Sequence, residues 1–76
     1  MSEQSKDKSL KYLQKKAEAD QQAALLSFDL LLENAVGIGD HSTGDFISNL
    51  DEALNNLVDA NDRLETLEYL KKIYGH

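Results

Sequence analysis

The sequence predicts an all-α protein: two long helices folded back on each other as an antiparallel two-helix hairpin, assembling into a four-helix bundle or a larger helical oligomer. Three observations predict it. The 76 residues contain no proline, and the four glycines fall at two places, Gly37, Gly39 and Gly44 in the middle and Gly75 at the end. Glycine and proline are the main punctuators of structure, so the chain reads as a long segment, a short break and a second long segment. On both sides of the break apolar residues recur every three or four positions, the helical period, and strict alternation occurs over no useful length.

The second segment is the clearer of the two. Phe46, Leu50, Ala53, Leu57, Ala60, Leu64, Leu67 and Tyr74 follow a heptad spacing that only Lys71 interrupts. Ile47, Leu54, Leu70 and Ile73 widen this seam into a stripe suited to a bundle. Ser42-Thr43-Gly44-Asp45 supplies a capping hydroxyl followed by a carboxylate, and Lys71, Lys72 and Gly75 suit the negative end of the helix and its termination.

The first segment has a thin apolar face early, Leu10, Leu13 and Ala17, among lysines and glutamines. From Ala23 to Leu32 it is apolar nearly all round. Ala24, Phe28, Leu31 and Ala35 share one side, while Ala23, Leu26 and Leu30 point away from it. A helix apolar on every side is normally buried on every side, and one partner helix covers a single side. The expected boundaries are a disordered polar tail over 1–5 and one domain over 6–76, with helices at 6–36 and 44–74 joined by a loop at 37–43. So short a loop forces the antiparallel hairpin.

Size sharpens the case for self-association. Chains this short usually need disulfides, a metal or a partner subunit. There is no cysteine, and two histidines are too few for a metal cage. An isolated hairpin would leave Leu26 and Leu30 in water, forgoing about 1.5–3 kcal/mol for each leucine. A homo-oligomer, a dimer first of all, is therefore expected through Ala23, Leu26, Phe28 and Leu30 of the first helix and Leu50, Leu57 and Leu64 of the second.

Charge is distributed unevenly. The chain carries 14 acidic and 8 basic residues, a net charge of −6. Seven of the eight bases, Lys6, Lys8, Lys11, Lys15, Lys16, Lys71 and Lys72, gather where the termini meet in a hairpin, and Arg63 is the eighth. From Ala17 to Asp62 there is neither lysine nor arginine. The acidic body would suit a basic protein partner; the plainer reading is a solvated face that keeps a small protein in solution. Direct nucleic-acid binding is not expected, because the lysine cluster is small and the three tyrosines form no stacking platform legible in sequence. The polar start resembles no signal peptide and no run is long enough to span a membrane, so a cytoplasmic location is expected.

The loop is the one candidate ligand site. Gly39, Asp40, His41, Ser42 and Thr43 offer free N–H groups at a helix start, the basic ingredient of anion binding. No lysine follows the last glycine and no strand precedes the first, so this is not a phosphate loop. Asp40 and Asp45 would repel an anion, and a capped turn accounts for the same residues. Asp29, Glu33, Glu52 and Asp59 can be read as inward carboxylates of a helical metal-dependent hydrolase, but the Glu-x-x-His pairing of such bundles is missing. No catalytic residue, metal or cofactor is expected.

The stretch Asn34-Ala35-Val36-Gly37-Ile38-Gly39-Asp40-His41-Ser42-Thr43-Gly44-Asp45-Phe46, followed by Leu50-Asp51-Glu52-Ala53-Leu54, resembles small proteins of T4-like phages infecting marine cyanobacteria. The resemblance carries no activity and no functional residues. It implies a context in which small proteins bind a host or virion component, or sequester a ligand. The expected function is thus a non-enzymatic, self-associating interaction protein. The alternatives are a binder of a small, nucleotide-like ligand at the inter-helix loop and, third, the hydrolase.

Overall fold

Without proline and with glycine confined to two places, nothing interrupts either long segment, and both are helical in the computed structural model, which describes residues 3–34 and 43–74. Helix α1 runs Glu3–Asn34 and helix α2 runs Thr43–Tyr74, 32 residues each. Among the described residues there is no strand. The hairpin is therefore all-α, as the glycine pattern and apolar period require.

The boundaries differ from expectation in small ways. α1 begins at Glu3 instead of residue 6, because no residue of Glu3-Gln4-Ser5 breaks a helix. α2 begins one residue early, at Thr43, with Asp45 in its first turn and Lys71 and Lys72 in its last. Each of these charges sits at the dipole end that favours it. The rest of the expected loop, and the last expected residues of α1, lie outside the described residues.

The two helices pack antiparallel. Gln14 accepts a hydrogen bond from Lys71, Asp20 accepts one from Arg63 and Gln21 donates one to Asn61, so α2 numbers fall as α1 numbers rise. Between the helices lie alanines: Ala17 and Ala24 on α1, Ala53 and Ala60 on α2, each pair one heptad apart and all buried, with Leu67 extending the α2 row. The distance between packed helices is set by the side chains at the contact, and alanine permits a close approach. The larger members of the seam, Leu10, Phe28, Leu31, Phe46, Leu50 and Leu57, then reach past the contact and end half-buried. Among the described residues no large side chain is fully buried.

The α2 seam is thus as expected from Phe46 to Leu67, while Tyr74 is exposed. In the flanking row Leu70 is half-buried, but Ile47, Leu54 and Ile73 are exposed, because one thin partner helix cannot cover so wide a stripe. Lys71, the one charge in the seam, is half-buried and donates to Gln14, which accounts for a charge at that position.

The hairpin is a rod of 56 × 15 × 14 Å with a radius of gyration of 17.1 Å. A compact chain of this length would have a radius of about 11 Å. Its accessible surface is 5897 Å², where a compact monomer of the same mass would expose roughly 4700 Å².

Candidate interaction surface

Two sides of the α1–α2 seam carry polar cross-links. On one side Asp20 receives Arg63 Nη1 at 2.8 Å across the seam and Lys16 Nζ at 3.3 Å from its own helix. Arg63 also binds Asp59, four residues back on α2. The Arg63 guanidinium, aided by Lys16, holds the Asp20 carboxyl below its ordinary range. Asp59 first and Asp20 second raise Arg63 further. On the other side Gln21 Nε2 donates to Asn61 Oδ1 at 2.8 Å. These bridges lie near mid-hairpin and pin the register. The heptad reading did not find them; the available signal was the single arginine, Arg63, just past the acidic stretch, with Asp59 one turn before it.

Charge separates along the rod. At the terminal end Lys11, Lys71 and Lys72 share a shallow groove with Asp7, Glu68, Leu10 and Gln14. Towards the loop end, groove walls are built by Ser27, Leu30, Asn49, Glu52 and Asn56, with no basic residue among them.

Apolar side chains on the surface are the most prominent feature. Twelve large ones among the described residues are exposed by two fifths or more, including Tyr12, Leu25, Leu26, Leu30, Leu32 and Leu54. The seven residues expected at an oligomer interface fall in two places. Ala23, Leu26 and Leu30 are exposed on α1, Leu26 at 59% on the side turned from α2 and Leu30 at 50%; Ala23 and Leu30 border grooves shared with Asn56 of α2. Phe28, Leu50, Leu57 and Leu64 are half-buried along the seam between the helices. A second apolar row follows from the heptad: Leu25 and Leu32 on α1 and Ile47 and Leu54 on α2, all exposed, flank the seam on the Gln21–Asn61 side towards the loop end.

Of the expected loop site, Gly39, Asp40, His41 and Ser42 lie outside the described residues, and Thr43 is the first residue of α2. Among the described residues no three of His, Cys, Asp and Glu gather closely enough to hold a metal ion. Glu52 and Asp59 line the grooves on the Asp20–Arg63 side, whereas Asp29 and Glu33 are exposed on α1 outside those grooves. The four carboxylates of the hydrolase reading are therefore not brought together. No described helix is long and apolar enough to cross a membrane.

The hairpin with an alanine-lined seam and an apolar exterior defines a helical rod with more apolar surface than one chain covers. No protein-family model, no curated protein and no solved structure matches the chain.

Proposed function

We propose that this protein is a non-enzymatic interaction module that functions as a homo-oligomer, two or more hairpins packing their exposed apolar faces into a helical bundle. One observation carries the reading: among the described residues the buried row consists of four alanines and Leu67, while leucines, isoleucines and tyrosines are exposed to water. Monomeric soluble proteins rarely expose apolar side chains in such continuous rows, and association with another protein surface is a common use of them. Each leucine covered by a second chain contributes about 1.5–3 kcal/mol, a large share of what an 8.5 kDa domain can have. The assembly would still present the acidic loop half of each hairpin, which suits a basic partner surface.

Native mass spectrometry of the purified protein over a dilution series tests this. Multiples of the 8.5 kDa chain at micromolar concentration are the expected result. A single species of one chain at every concentration would overturn self-association.

A further inference from the structure

The exposed face of α1 is itself a heptad seam. Tyr12, Lys16, Ala19, Ala23, Leu26 and Leu30 follow a 4-3-4-3-4 spacing, the same alternation as the intramolecular seam. Tyr12, Ala19 and Leu26 face away from α2, while Lys16, Ala23 and Leu30 border the grooves on the Asp20–Arg63 side. All six are exposed. Small residues, Ala19 and Ala23, occupy its middle, as alanines occupy the middle of the α1–α2 seam.

Resting on the self-association just proposed, we infer that two copies pair α1 against α1 in antiparallel orientation through this second seam. The pattern is its own complement when reversed about residue 21. Ala19 then faces the partner's Ala23, Lys16 the partner's Leu26, and Tyr12 the partner's Leu30, and the two-fold axis repeats each layer. Charge selects this direction. The first half of α1 carries Lys6, Lys8, Lys11, Lys15 and Lys16, and the stretch from Ala17 to Asn34 carries Glu18, Asp20, Asp29 and Glu33 with no base.

In the antiparallel register Lys15 lies beside the partner's Asp29 twice, once on each side of the axis, and Glu33 reaches towards the partner's Lys8. A parallel, in-register pair would instead stack lysine clusters and place two Lys16 side chains in one layer, which is unfavourable. In the antiparallel pair the Lys16 stem covers the partner's leucine while its ammonium stays on Asp20, 3.3 Å away in the hairpin. The Leu25–Leu32–Ile47–Leu54 row differs from this face in occupying only the loop half of the rod.

The chain contains no cysteine, so single cysteines report proximity directly. Ala19→Cys and Ala23→Cys chains are mixed and oxidised, and dimer stability is measured by sedimentation for Leu26→Glu and for Asp29→Lys with and without Lys15→Asp. The expected result is a disulfide joining the Ala19→Cys chain to the Ala23→Cys chain, with few links when either variant is oxidised alone. Leu26→Glu should raise the dissociation constant at least about a hundredfold, because the two-fold axis removes two leucines from the interface. Its hairpin should stay helical, because Leu26 lies outside the α1–α2 seam.

Asp29→Lys should weaken the dimer by roughly three- to tenfold, as two exposed pairs turn repulsive, and adding Lys15→Asp should restore it. Links only between like cysteines would show a parallel pair and overturn the inference. A dimer indifferent to Leu26→Glu and to both charge changes would place the contact on another face, overturning the inference while the self-association reading stands. A monomer of unmodified chain at every concentration would overturn both.

Discussion

Arg63 shows what a single side chain decides in a molecule with so little buried. It spans the seam to Asp20 and reaches back to Asp59 on its own helix, tying the two helices at mid-length. The Asp20 carboxyl is held below its ordinary 3.8 chiefly by the Arg63 hydrogen bond. A carboxyl whose folded value lies below its unfolded one adds stability that is complete above the unfolded value and lost as the pH falls through the folded one. The Asp20 contribution should therefore be complete at neutral pH and decline as the pH falls below the ordinary carboxylate value. In Arg63→Met the Asp20 carbon resonance should titrate closer to the ordinary range, and the thermal midpoint should fall clearly at pH 7 and by less in acid, once the pH passes below the folded value of Asp20. Equal losses at both would mean that Arg63 acts by packing and not by charge. Gly44 offers a simpler test. It lies inside the first turn of α2, is exposed, and a Cβ built on it meets nothing within 4 Å. Gly44→Ala should raise stability by about 0.5 kcal/mol in a urea titration, through the lost freedom of the unfolded chain.

Between helices the controlling feature is the alanine row. Ala17 and Ala24 face the interior from α1 as Ala53 and Ala60 do from α2, and Ala60 is wholly enclosed. A larger residue there has no space unless the helices separate. Ala60→Leu should therefore destabilise the hairpin by about 1–3 kcal/mol although it adds apolar volume, as a denaturant titration would measure. The same row explains why the outside is so apolar: helices set close together push the larger seam residues to the rim. A neutral or stabilising Ala60→Leu would mean that the contact is looser than the burial of Ala60 requires.

For the molecule as a whole, the measure is a rod with a 17.1 Å radius of gyration and a surface about a quarter larger than a compact chain of its mass. A protein that gains stability by association has a thermal midpoint that rises with concentration. That rise is expected here, over a hundredfold range read by circular dichroism, and a constant midpoint would count against it. Side-by-side hairpins with axes set by ordinary helix packing should raise the radius of gyration by only about 1–2 Å over the single rod, whereas end-to-end joining would bring it near 30 Å. Small-angle scattering separates these outcomes, and the antiparallel α1 pair requires the first.

Much of this was legible in the residues alone. Glycines confined to two places and no proline require two helices and a turn, since nothing else stops a chain with a continuous three-four apolar period. The helical period, fixed by backbone geometry, puts Leu26 on the face turned from α2, because a single helix covers only one side, whereas Ala23 and Leu30 border grooves shared with α2. Phe28, Leu50, Leu57 and Leu64 were harder. The period assigns them to apolar stripes but cannot say how far a partner helix reaches around each stripe, and the structure leaves them half-buried along the seam. That depends on how closely the helices approach, which four alanines in register settle only once the pair is folded. The Arg63–Asp20 and Gln21–Asn61 bridges belong to the same class: their partners lie 43 and 40 positions apart and share no period, and only the tertiary register brings them within hydrogen-bonding distance.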